Sequence, residues 1–218
     1  EGFKDRYTFG SRPTGIFIPR FRNISAKTLT PKFLRGYTYQ GGAWRGRISW
    51  ADGVGAQLKE KLSEAGEWSM SISAWGEHLP YYDNKVTLDP VKKDKFGMPV
   101  LRIDCEFREN EKKLAEDAMN SAAEILEMGG LKNVTTYDRG KIPGSCIHET
   151  GTARMGKDPR TSVLNQWNQM HEVHNVFITD GSAMASSSCI PGPSITYMAL
   201  TARAVDYAVC EMKKGNIR

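Results

Sequence analysis

Polar and apolar positions alternate from Glu67 onward, with Trp68, Met70, Ile72 and Ala74 on one side and Ser69, Ser71 and Ser73 on the other. A period of two predicts a half-buried strand. After turn material at 79–84 comes the short run 85–88, and then Leu101, Ile103, Cys105 and Phe107 alternate with Arg102, Asp104, Glu106 and Arg108. Neighbouring strands with one polar face predict an antiparallel sheet. The period then lengthens: Leu114, Ala118, Ala122, Ile125 and Leu126 form a helical stripe over 110–128, and Gly129 with Gly130 supplies its stop.

The flanks are less regular. The first fifty residues show one strand signal, Ile16, Phe17 and Ile18 closed by Pro19, and otherwise predict extended, loop-rich structure. A loop over 137–159 leads to a short strand predicted at 176–179, to Asp180, Gly181 and Ser182, and to a serine-rich connection. A final helix is predicted over 194–214, with Ser194 near its N-cap, Lys213 and Lys214 in its last turn and Gly215 as its stop. Strand, loop and helix make up the unit from which α/β nucleotide-binding folds are built. The predicted class is therefore α/β, and α+β in its first part: an antiparallel sheet with helices over 1–142, then a strand-loop-helix tail over 143–218.

Composition narrows the function classes. At 218 residues, with 39% hydrophobic and 10% aromatic positions, the chain is too apolar for disorder. No apolar run approaches the roughly 20 residues of a membrane helix, so no membrane span is expected. The net charge of +5 is uneven, because the first fifty residues carry +8 and the remainder −3. That basic segment includes Phe17, Phe21, Tyr37, Tyr39, Trp44 and Trp50, but without a nucleic-acid module it reads as a solvated or partner-facing surface. No nucleic-acid partner is expected.

Cys105, Cys146, Cys189 and Cys210 form no C-x-x-C motif and read as buried free thiols. His171 and His174 lie three apart without a carboxylate or cysteine in register, and read as part of a connecting turn rather than a metal site. His78 reads as a loop histidine. The sole G-x-G, at Gly53 and Gly55, lacks the third glycine and a preceding strand, so no dinucleotide fingerprint is present.

Three motifs in one order carry a more specific signal. They are His148-Glu-Thr-Gly-Thr-Ala-Arg-Met-Gly156, continuing through Asp158 and Pro159; Asn175-Val-Phe-Ile-Thr-Asp-Gly-Ser182; and Pro193-Ser-Ile-Thr-Tyr-Met-Ala-Leu200. Together they resemble the C-terminal part of the glucose-methanol-choline oxidoreductases, strongest over 143–213 and more loosely over the alternating strands. The resemblance implies an FAD-dependent flavoenzyme that oxidises an alcohol or sugar by hydride transfer to flavin N5. His148 matches the histidine of the family's H-x-x-G-T element, and by resemblance it is the general base. An imidazole suits that task because its pKa lies near operating pH. Judged without its neighbours, His148 also reads as a hydrogen-bonded loop histidine.

For cofactor binding the resemblance implies Asp180, Gly181, Pro193, Ser194, Ile195 and Thr196, mainly through backbone groups. Gly181 would let the backbone approach a phosphate or ribityl chain, and the helix N-terminus would stabilise negative charge on the reduced ring. The family usually places His or Asn just before this helix, where the chain has Gly192, so Ser188 or Cys189 is a candidate substitute. The implied partners are an alcohol or sugar substrate, an electron acceptor, and an N-terminal FAD-binding region upstream or on another chain. Without that region the chain is expected to be inactive. The alternative is a non-catalytic carbohydrate-binding or interaction module derived from the same fold.

Overall fold

The computed structural model describes residues 15–47, 51–138, 142–144, 148–187 and 192–217. Strands β1 (Gly15–Ile18), β2 (Tyr37–Arg47) and β3 (Ala65–Gly76) form an antiparallel sheet in that order, with Tyr39 opposite Ala74 and Ile72 opposite Gly41. Helix α1 (Gly55–Ser63) bridges β2 and β3. Strands β4 (Lys85–Lys93) and β5 (Pro99–Asp104) make a separate hairpin rather than joining the sheet of β3. The central strand β2 corrects the loop-rich expectation for the first fifty residues. Tyr37 and Tyr39 do alternate with polar neighbours, but Gly41, Gly42 and Ala43 then interrupt the apolar signal.

Helix α2 (Glu109–Met128) lies where its stripe predicts, and buries Leu114, Ala118 and Leu126. It packs on the sheet through a core of Phe33, Tyr37, Tyr39, Leu114 and Ala118, with Phe21 edge-on to Tyr37 at 5.5 Å. Both buried tyrosines satisfy their hydroxyls on α2. Tyr39 Oη donates to the Ala118 carbonyl at 2.6 Å and Tyr37 Oη to Asp117 at 2.5 Å. Arg22 pairs with the same Asp117 carboxylate at 2.9 Å, while Arg20 and Arg45 donate to backbone carbonyls. Part of the basic segment is thus internal bracing.

The stretch 148–187 is irregular but knitted by backbone bonds around Ala153, Leu164 and Ala183. Ala153 and Met155 N–H donate to the Ser182 and Ala183 carbonyls, each at 3.0 Å. Helix α3 (Ser194–Lys213) docks there, stacking Tyr207 on Trp167 at 4.9 Å with Arg203 donating to Asn168. The strand predicted at 176–179 is absent: Phe177 makes one isolated bridge, to Gln169. A buried parallel-type strand needs a neighbour on its edge; among the described residues the backbone of this segment bonds within its own loop, while Phe177 packs edge-on to Tyr207 of α3.

Two apolar faces stay uncovered. On the hairpin, cross-strand pairs Val86 with Ile103 and Leu88 with Leu101 are 41–67% exposed, so the face expected to be buried is open. On α3, Ile195, Met198, Val205, Val209 and Met212 form an exposed stripe at helical spacing. Cys210 is also exposed, correcting the expectation of buried thiols, and Cys105 is half-buried. Cys146 and Cys189 lie outside the described residues. No described helix is long and apolar enough to cross a membrane.

Candidate functional site

His148 is half-buried, with its imidazole against the indole of Trp75 at the end of β3, 5.4 Å between ring centroids and tilted by 38°. The next residue, Glu149, leads to Gly181. A Cβ on Gly181 would lie 2.8 Å from the Tyr197 hydroxyl and 3.0 Å from the Glu149 carbonyl. A side chain there would crowd both, because three separated stretches meet there: the segment after His148, the turn at 180–182 and the first turn of α3.

Asp180 shapes that turn. Its Oδ1 accepts from Ser182 N at 2.8 Å and Ser182 Oγ at 2.5 Å, opening the short 3-10 turn Gly181–Ala183. Such a local carboxylate-to-backbone bond is how Asp initiates turns. Burial, with the Asp180 and Glu149 carboxylates nearby, pushes the Tyr197 phenol above its ordinary pKa.

The start of α3 is open. Pro193 is buried at the N-cap and gives no side-chain cap, whereas Ser194, Ile195 and Thr196 are exposed. Ser194 is thus the first helical residue rather than the N-cap. Gly192 takes φ +85°, and among the described residues an added Cβ there would meet nothing within 4 Å. Ser188 and Cys189 lie outside the described residues.

The other histidines stand apart from this constellation. His171 Nε2 lies 3.1 Å from Ser162 Oγ, and His174 Nε2 lies 3.1 Å from the His171 carbonyl, which builds a turn. His78 is wedged between Tyr81 and Phe107, its Nε2 3.1 Å from the Glu106 carbonyl. No metal-holding group of three or more His, Cys, Asp or Glu occurs among the described residues.

Sequence reasoning missed Trp75, Glu77 and Ser186. Glu77 is 7% exposed, and its Oε1 accepts from Ser186 Oγ at 2.5 Å. The only sequence signal was an acid and an aromatic closing an alternating strand.

The family model for GMC oxidoreductases matches residues 80–201, more than half of the chain. The chain belongs to the GMC oxidoreductase family. This GMC chain is 38% identical over 139 residues to 2-methyl-1,2-propanediol dehydrogenase of Mycolicibacterium austroafricanum, covering 63% of the chain and 25% of that protein. It is 31% identical over 164 residues to the fructose dehydrogenase large subunit of Gluconobacter japonicus, covering 74% of the chain and 29% of that protein. It is also 31% identical over 136 residues to the gluconate 2-dehydrogenase flavoprotein of Pantoea cypripedii, covering 59% and 22% respectively. The GMC chain therefore spans about a quarter of the length of these curated relatives. His148, the Gly181 turn and the start of α3 all fall inside the matched region.

Proposed function

We propose that the chain supplies the substrate-facing part and the closing segment of an FAD-dependent oxidoreductase acting on an alcohol or sugar hydroxyl. Residues 1–142 would form the substrate part, and 143–218 would complete the FAD-binding domain. The observation that carries this reading is the meeting at Gly181 of the segment after His148, the Asp180 turn and the first turn of α3. The relatives' names point to polyols and sugars: a propanediol, fructose and gluconate.

The residues fit such a cofactor. A 20-residue helix concentrates about half a positive charge at its start, and no side chain of its N-cap residue covers the first N–H groups. Among the described residues the backbone at Gly192 is open. Asp180, Gly181, Pro193, Ser194, Ile195 and Thr196 would hold FAD, with the N–H groups of 194–196 facing its negative charge. Bound FAD would supply the acceptor for the two electrons leaving the alcohol.

His148 removes the hydroxyl proton of the substrate at a ring nitrogen, and the apolar indole of Trp75 holds the imidazole in place on one side. Gly192 offers no side-chain donor to the substrate oxygen. Losing one preorganised polar partner at such a position costs about 3–4 kcal/mol, or hundreds-fold in rate. This enzyme is therefore slower than a relative carrying a polar side chain there.

The exposed stripe on α3, with Ile195 at 83% and Met198 at 70%, supports a further polypeptide covering it. A helix apolar on both faces is a buried helix. The FAD-binding region upstream or on another chain is that cover, and the 218-residue chain alone turns nothing over.

The test compares the isolated chain with the chain joined to its FAD-binding region, reading flavin absorbance and dye-linked alcohol oxidation. The joined protein holds flavin stoichiometrically, and His148→Ala keeps the flavin while losing about 10²–10⁴ in turnover. Stoichiometric flavin with turnover in the isolated chain overturns the division of the site. Full turnover in His148→Ala overturns the role of the imidazole.

A further inference from the structure

Trp75 and Glu77 stand two residues apart at the end of β3, so their side chains leave on the same side of the strand path. Each reaches a different segment of the candidate site. Trp75 lies against His148, and Glu77 accepts a hydrogen bond from Ser186, which sits between the Gly181 turn and Gly192. One strand end therefore touches both the His148 segment and the segment after the Gly181 turn.

The Glu77 contact is expensive to build. Its side chain is 6% exposed, and burying a carboxylate is costly unless it is paired. Behind it Arg35 places Nε 3.7 Å from Oε1, and Arg35 itself takes φ +68°, a left-handed conformation that a side chain strains. Asn23 holds that conformation, its Nδ2 donating to the Arg35 carbonyl at 2.6 Å and to the Phe33 carbonyl at 3.0 Å. A leucine in place of Glu77 would fill the space without charge. What it would lose is direction, because only an acceptor oxygen sets where the Ser186 hydroxyl must sit. Strained, over-determined residues of this kind gather where geometry matters to function.

We propose that Glu77 is a positioning residue for alcohol oxidation: backed by Arg35 and acting through Ser186, it fixes the segment 184–187 that follows the Gly181 turn, while Trp75 fixes the imidazole. The proposal rests on the functional reading above. Glu77 does not itself touch substrate. It sets where the Gly181 turn and the segment after it lie relative to the base, and small displacements there are felt in the chemical step rather than in binding.

The experiment uses the flavin-loaded protein and measures kcat and KM separately for Glu77→Leu, Glu77→Gln, Ser186→Ala and the Glu77→Leu/Ser186→Ala double variant. Glu77→Leu and Ser186→Ala each lower kcat by about tenfold or more, with full flavin content and KM within about twofold. Glu77→Gln, whose amide oxygen still accepts from Ser186, recovers most of that loss. The double variant falls no further than the worse single, because both remove the Glu77–Ser186 contact. Unchanged kcat in Glu77→Leu, a Gln variant as poor as Leu, or losses that multiply each overturn the proposal. Should Glu77→Leu not fold, Ser186→Ala decides through amide hydrogen exchange in the 218-residue chain. Exchange at 184–187 accelerates about tenfold while α2 is unchanged, and no acceleration overturns the tether. A flavin-loaded parent that oxidises no alcohol counts against the functional reading, and the exchange result then decides the tether by itself.

Discussion

Removing the carboxylate of Glu111 tests how the substrate part is locked together. Glu111 is 8% exposed, and its two oxygens accept from Arg108 N at 2.9 Å, Leu79 N at 3.2 Å, Tyr81 Oη at 3.0 Å and Asn110 Nδ2 at 3.2 Å. It thus caps α2 and pins the loop after β3 with the same group. Burial pushes its pKa up, but the Arg108 and Leu79 N–H groups with the Asn110 and Tyr81 side chains outweigh that and hold it below its ordinary value. Glu111→Ala leaves two backbone donors without this acceptor. At about 1–3 kcal/mol for each such loss, the expected destabilisation is about 3 kcal/mol. A folded-state pKa below the unfolded one stabilises the fold above the unfolded value, and that contribution disappears as pH falls through the folded value. Equilibrium urea unfolding followed by far-ultraviolet circular dichroism therefore shows a gap of about 3 kcal/mol between parent and variant near pH 7, narrowing at about pH 3. A gap below about 1 kcal/mol near pH 7, or one equally wide at both pH values, refutes the argument.

Three further outcomes follow from the same structure. Tyr37→Phe removes a hydroxyl that donates to the Asp117 carboxylate at 2.5 Å inside the core, and lowers unfolding free energy by about 2 kcal/mol in urea titration. Gly41→Ala would set a Cβ 1.9 Å from the Ser71 carbonyl oxygen; because backbone cannot yield as a side chain does, the thermal midpoint falls, and an unchanged midpoint contradicts the β2–β3 register. Gly192→Asn adds a side chain to open space at a φ that Asn tolerates, so stability stays within about 1 kcal/mol. In the flavin-loaded protein its turnover rises, and a fall at full flavin content contradicts the assignment of that position.

How much of this was readable in the chain depended on the range of the interaction. Helices α2 and α3 were visible because the period of Leu114, Ala118, Ala122 and Ile125, and the glycines at 129–130 and 215, act within a few residues. β3 was visible for the same reason: Met70 and Ile72 are half-buried and Ser69, Ser71 and Ser73 exposed, although Trp68 and Ala74 of the predicted inner face are exposed as well. β2 was not, because its Gly-Gly-Ala centre has almost no side chain to pattern, and its strand state comes from lying between β1 and β3. The run at 176–179 failed in the opposite direction: its residues favour a strand, but pairing needs an edge that the described residues do not bring to it.

For the site, the three ordered motifs carried the family and named His148, Asp180 and Gly181 before any geometry was known. Residue type and order suffice to name candidates there, because imidazole, carboxylate and glycine each bring a property of their own. Only the tertiary structure decided what surrounds them. The Ser186 bond to Glu77 spans 109 residues, and the indole of Trp75 reaches His148 from the end of a distant strand. No local pattern encodes such pairs, since the chain entropy spent in closing those distances is repaid by the packing of the whole fold and not by either partner's neighbours.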